Sequence, residues 1–261
     1  MPTTPKLIFF GNGTLAEVAL GVLGQHFEVI FHAREKADLA RVIELKNKFP
    51  EAHGVLASFG VMIPSSVLDL FEPEGILNIH PSLLPKYRGA SPIESAILAG
   101  DSDFSVSVMK LVKAMDAGPV FYQETLAGLP LDKSTLYKKL AETGARWICE
   151  SINNLPTPVP QDETNATFCG KFDKSMGVLH PETETAAEIY RKIIAFQGFP
   201  KAKYAFYGKN CAILAAHIAK PDETAVLTIP CVDGAIVAVD RLQPDGKRVM
   251  DAKAFLNGYR R

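Results

Sequence analysis

Leu7-Ile8-Phe9-Phe10-Gly11-Asn12-Gly13-Thr14-Leu15-Ala16 joins an apolar run to a glycine turn and then to a helical pattern that continues to Leu23. An apolar run without alternation has no polar face, so the strand it forms is covered on both sides. The unit recurs: residues 27–31 are apolar and precede helical spacing over 37–48, and residues 55–58 form a third short strand. Short buried strands alternating with helices specify a parallel α/β sheet. Further along, residues 76–79 read as a fourth strand and 92–98 as a helix begun by proline. Residues 106–111 and 120–125 complete the sheet. Over residues 134–152, Leu136, Leu140, Trp147 and Ile148 fall on one helical face that needs a partner surface.

The pattern changes after residue 152. Leu155-Pro156-Thr157-Pro158-Val159-Pro160 fits neither a helix nor a central strand, and the polar residues beyond it have little periodicity, so this region reads as a linker. A helix over 186–197 ends at Gly198, and strand-like segments follow at 211–218, 225–230 and 235–239. They are separated by turn signals at Lys220-Pro221-Asp222, Val232-Asp233-Gly234 and Pro244-Asp245-Gly246. A small antiparallel barrel or meander has this spacing. The expected organisation is an α/β domain over residues 1–181, then a linker helix and a small β domain over 182–261.

Composition agrees with a folded, two-part chain. Of 261 residues, 47% are hydrophobic and 22% charged, which excludes disordered and collagen-like classes. The net charge of −1 excludes a strongly basic nucleic-acid binder on the total, but the total hides an asymmetry. Residues 1–181 carry 16 basic and 20 acidic side chains, whereas 182–261 carry 12 and 9, so the second part is the one that suits an anionic partner. Residues 1–6 lead straight into the first strand with no signal-peptide core, and the least polar long stretch, 54–68, is broken by Gly60 and Pro64. It falls short of the ~20 apolar residues a membrane span needs. A cytoplasmic protein without a membrane partner is expected. Cys149, Cys169, Cys211 and Cys231 are far apart and form no CxxC pair, so they read as packed thiols.

Two motifs carry chemistry. Gly11-Asn12-Gly13-Thr14-Leu15-Ala16 has the outline of a dinucleotide fingerprint, but only Glu35 is available as the acidic partner, and any tight strand-to-helix turn uses the same glycines. The denser signal is Asn78-Ile79-His80-Pro81-Ser82-Leu83-Leu84-Pro85-Lys86-Tyr87-Arg88-Gly89-Ala90-Ser91-Pro92-Ile93. Strand alternation places Asn78 and His80 on one face, and Pro81 ends the ladder, so both are expected at the strand's C-terminal edge, where open α/β sheets bind ligands. An imidazole, with an ordinary pKa near 6.5, exchanges protons at neutral pH, and an amide beside it donates to a developing oxyanion. Asp116, in the Gly/Pro loop 112–120 between two strands, is the candidate third member: a carboxylate orients such a histidine. The plainer reading of Asp116 is an Asx turn.

The order N-x-H, then S-L-L-P, then a D-x-G loop resembles the folate-dependent formyltransferase family. The resemblance implies a Rossmann-like, open, mostly parallel catalytic sheet. It matches Asn78, His80 and Asp116 to the family's catalytic trio. It assigns Ser82, Leu83, Leu84 and Pro85, with Phe59, Gly60 and Met62 of the 59–64 stretch, to the tetrahydrofolate site. Arg88–Ile93 and residues 239–261 resemble the branch acting on methionyl-tRNA, which implies a C-terminal OB-like β-barrel and aminoacylated initiator tRNA as partner. 10-Formyltetrahydrofolate is the implied formyl donor. In the expected mechanism an amine attacks the formyl carbon, Asn78 and protonated His80 stabilise the oxyanion, Asp116 helps pass the proton out, and no metal is needed. Lys86 and Arg88 are candidates for the acceptor end of tRNA, and Lys247, Arg248, Lys253, Arg260 and Arg261 for its backbone. A monomer is expected. An amino-sugar nucleotide formyltransferase and a non-catalytic tRNA-binding relative are the alternatives.

Overall fold

The computed structural model describes residues 4–259. The chain divides into two compact units, Met1–Ile93 with Ser102–Gly170, and Glu94–Asp101 with Lys171–Arg261. The first half of the chain runs β1 (Lys6–Gly11), α1 (Gly13–Leu23), β2 (Glu28–Ala33), α2 (Leu39–Lys48), β3 (His53–Ala57), α3 (Ser65–Leu68) and β4 (Ile76–His80). It continues with β5 (Arg88–Gly89), α4 (Pro92–Ala99), β6 (Phe104–Lys110), β7 (Val120–Leu126), α5 (Lys133–Ser151) and β8 (Phe168–Cys169).

Six of these strands form one sheet in the order β2-β1-β3-β4-β6-β7. β1 to β4 pair in parallel and β6 is antiparallel to both of its neighbours, so β6 alone is reversed in a sheet whose other strands point one way. This is the open, mostly parallel α/β sheet that the alternating apolar runs specify. One face carries α1 and α5, which lie so close that a Cβ on Gly144 would fall 2.7 Å from the Ile79 side chain. The other face carries Ile8, Phe10, Leu56 and Ile76 against Val42, Val67 and Phe71 of the α2 and α3 layer.

The opening turn is explained by backbone approach. A Cβ on Gly11 would meet the Ala57 carbonyl of the adjacent strand at 2.2 Å, and Gly13 sits at φ +76°. After β2, the Asp38 carboxylate accepts from the Arg34 and Glu35 amides and closes a 3-10 turn at Lys36–Asp38, so the α-helix expected from residue 37 begins at Leu39. Residues 161–170, expected as linker, are instead ordered against the loop after β4. The Arg88 amide donates to Thr167 O, the Ala90 amide to Cys169 O, and β5 pairs with β8. A two-residue strand has no period, so sequence pattern cannot reveal it.

The second unit contains α6 (Ala186–Ala195), β9 (Lys203–Phe206), β10 (Lys209–Ile218), β11 (Thr228–Pro230), β12 (Ile236–Pro244), β13 (Met250–Asp251) and α7 (Ala252–Tyr259). Thr185 and Glu188 form a capping box at the start of α6, whose Ile189 and Ile193 are buried. The strands form an antiparallel sheet in the order β11-β12-β10-β9, with β13 on β12, and irregular register around Ala215 curls β10 into a half-barrel. β12 runs past residue 239 to Pro244, and β11 is shorter than the 225–230 segment suggests. The helix α7 has no counterpart in the sequence reading; it buries Phe255, which stacks on Tyr259 and meets Phe206 edge-on. Among the described residues, no helix is long and apolar enough to cross a membrane.

Candidate active site

The site begins where the apolar face of β4 stops. Ile76, Asn78 and His80 share a face by alternation, and Ile76 is part of the core under α2 and α3. Two residues further on, the same face presents Asn78 and His80, each 5% exposed. Buried polar groups need partners. His80 Nε2 lies 3.0 Å from Tyr87 O, and since a carbonyl only accepts, Nε2 carries the hydrogen and Nδ1 is turned toward Asp116, 3.8 Å away. Asn78 Nδ2 is 3.4 Å from Asp116 Oδ1, a long contact that leaves its second N–H available. The Gly89 amide donates to Asp116 Oδ2 at 2.8 Å.

Asp116 reaches this place from the opposite end of β4. β6 is antiparallel to β4, so Lys110 lies opposite Leu77, and the loop that follows starts beside the N-terminal end of β4 rather than at its C-terminal edge. The loop folds back across the sheet face to bring its carboxylate to the pair. Two features permit this: Asp116 adopts φ +49°, and Gly118 passes so close to β6 that a Cβ would lie 1.8 Å from Lys110 O.

The segment after His80 is tied down by hydroxyls. Ser82 Oγ donates to Lys86 O at 2.6 Å, and fully buried Ser107, on the same face of β6, donates to Ser82 O at 2.6 Å and accepts from the Leu84 amide at 3.1 Å. Gln123 Nε2 adds bonds to Leu84 O and Ser107 Oγ. The expected folate stretches, residues 59–64 and 82–85, follow β3 and β4, and these strands are parallel neighbours, so both stretches leave the same edge of the sheet. Their side chains divide. Phe59 and Leu84 point into apolar clusters, and Ser82 is spent on Lys86 O. Gly60 is exposed, Pro85 is half-buried, and Met62 and Leu83 are 65% and 40% exposed.

The expected tRNA contacts need one correction. Lys86 is exposed, but Arg88 is 2% exposed and its guanidinium is bound by Glu163 and Gln161, so it has no free face for a phosphate. The reason is its place on β5, whose pairing with β8 directs the side chain inward. Lys247, Arg248 and Lys253 are exposed in the second unit, and Arg260 and Arg261 lie outside the described residues. Sequence reasoning passed over Gln161 and Glu163, whose only signal is a polar pair in a non-periodic stretch.

Similarity to known proteins shows the family of the chain. Residues 18–152 match the family described as formyl transferase, and 173–260 match the formyl transferase C-terminal domain. A methionyl-tRNA formyltransferase of Jannaschia sp. is 38% identical over 214 residues, covering 79% of this chain and 70% of that protein. Among solved structures, methionyl-tRNA formyltransferase from Clostridium thermocellum superposes with TM-score 0.65 at 16% identity, covering 96% of this chain and all of that one. HypX from Aquifex aeolicus, in complex with tetrahydrofolic acid, gives 0.72 at 18% identity over 98% of this chain, which spans about half of HypX (47%). The order of the strands, the meeting of N-x-H with the D-x-G loop and both matched regions lead to one assignment: the chain belongs to the formyl transferase family.

Proposed function

We propose that the protein transfers the formyl group of 10-formyltetrahydrofolate to the amino group of methionyl-tRNA, the initiator tRNA of translation. The observation that carries this reading is the meeting of Asn78, His80 and Asp116 on one sheet face in a chain of this family. The folate supplies an activated formyl carbon. The reaction joins that carbon to the amine nitrogen, breaks its bond to the folate N10, and moves one proton from the amine to N10. Asn78, with one N–H to spare, donates to the formyl oxygen as it gains charge. His80 works from Nδ1, because Nε2 donates to Tyr87 O; the Asp116 carboxylate beside Nδ1 balances the positive charge when that nitrogen carries a proton and helps pass the amine's proton on to N10. The two loops suit a flat pterin: they leave neighbouring parallel strands at the same edge of the sheet, and Met62 and Leu83 offer exposed apolar side chains.

Residues 1–181 form the catalytic part in this reading, and 182–261 the linker helix and β domain that hold the tRNA. Lys86 sits beside the site for the acceptor end. The protein acts as a monomer in the cytoplasm. The test is to supply purified protein with 10-formyltetrahydrofolate and either charged initiator methionyl-tRNA or an amino-sugar nucleotide. Formylmethionyl-tRNA is the expected product; formylation of the sugar nucleotide alone would replace this acceptor with the other. His80→Ala and Asp116→Asn are each expected to lower kcat by about 100-fold or more with the fold intact by circular dichroism. Near-parental turnover in either removes that residue from the chemistry.

A further inference from the structure

The polar segment after the proline run grips the site from outside. Half-buried Gln161 donates through Nε2 to two carbonyls of the loop that carries Asp116, at 2.8 Å to Asp116 O and 2.7 Å to Gly118 O. Its Oε1 accepts from Arg88 Nε at 3.0 Å and Nη2 at 2.8 Å. Glu163 takes the other edge of the same guanidinium, with Oε2 on Nη1 at 2.8 Å and Oε1 on Nη2 at 2.7 Å. The amide therefore has one workable orientation, because its oxygen must face the guanidinium and its nitrogen the carbonyls. We infer that Gln161, oriented by Arg88 and Glu163, is a positioning residue that holds the Asp116 carboxylate against His80.

The loop needs such a hold. Asp116 sits at φ +49°, in the left-handed region that aspartate enters more readily than most side chains but still at a cost, so contacts from its surroundings help to keep it there. The Gly89 amide fixes the carboxylate from one side, and Gln161 fixes the backbone of the same residue from the other. Arg88 is the rigid link. Its side chain is 2% exposed while that of Glu163 is 67% exposed, so the pair reaches from the site to the surface. Gln161 touches neither Asn78 nor His80 in the hydrogen-bond network and acts through Asp116.

This inference rests on the proposed role of Asp116, and the experiment separates the two. Gln161→Glu keeps the length of the side chain and the acceptor for Arg88 but sets a carboxylate oxygen against two carbonyls; Gln161→Ala removes packing as well. In steady-state assays with 10-formyltetrahydrofolate and methionyl-tRNA, both variants are expected to lose about 10- to 100-fold in kcat. KM for the folate should stay within about 3-fold, and thermal melts should remain cooperative. A residue that only fills space would give the opposite split, with Gln161→Glu like the parent and Gln161→Ala impaired. Parental kcat in Gln161→Glu, or a loss confined to KM, overturns the inference. If Gln161→Glu does not fold, Arg88→Lys decides: it keeps the charge but not the fork that holds Oε1, and parental kcat there also overturns it. Asp116→Asn is run alongside. An inactive Asp116→Asn with a parental Gln161→Glu removes the positioning role alone, whereas a parental Asp116→Asn removes the proposed role of Asp116 and this inference with it.

Discussion

His80 shows how much of a site can rest on one ring orientation. Its Nε2 is engaged by a backbone carbonyl seven residues on, and that single bond assigns the tautomer and aims Nδ1 at Asp116. Alternation along β4 already places Asn78 and His80 on one face in the sequence. Their meeting with Asp116 depends on a loop with a left-handed aspartate and on a glycine whose hydrogen lies against a strand. Gly118→Ala therefore tests whether the loop has slack. With a Cβ 1.8 Å from Lys110 O, the backbone must move, which is expected to cost about 1–3 kcal/mol of stability and about 10-fold or more in kcat. Denaturant unfolding read beside kcat checks both, and a variant unchanged in each would show that the loop has room.

At the scale of elements, the strands and helices of the first unit follow the apolar pattern closely, because each is long enough to show its period. The short pieces do not. β5 and β8 have two residues each, yet their pairing buries Arg88 and builds the frame around the site. In the second unit, β10 and β12 bring His217 between two carboxylates, with Nδ1 3.0 Å from Asp240 and Nε2 2.6 Å from Glu223. Hydrogen bonds first to Asp240 and then to Glu223 raise the His217 pKa above its ordinary value. A histidine raised on folding adds stability that is fully present below the unfolded pKa of about 6.5 and is lost as pH climbs through the raised value. His217→Gln should therefore lower Tm most at mildly acidic pH, and the gap to the parent should close as pH rises. A gap that stays constant across that range would show that the cluster does not couple to folding.

For the whole molecule, the balance of charge bears on how tRNA is held. A net charge of −1 conceals 12 basic against 9 acidic side chains in residues 182–261, and Lys247, Arg248 and Lys253 are exposed there. If three phosphates are contacted, raising salt from 50 to 200 mM should weaken tRNA binding roughly 40-fold by counterion release, with KM for the folate nearly flat. Filter binding across that range measures the slope, and a flat response would remove the basic surface from recognition. The sequence by itself determined the α/β class, the curled β appendage, the N-x-H face and the loop that carries Asp116, because these depend on period, turn chemistry and local order. Tertiary structure alone decided that β6 is reversed, that Asp116 arrives across the sheet face, and that Arg88 turns inward to Gln161 and Glu163. Those outcomes depend on pairings between residues 73 to 75 positions apart, or on which neighbour a strand finds, and nothing in a local pattern encodes either.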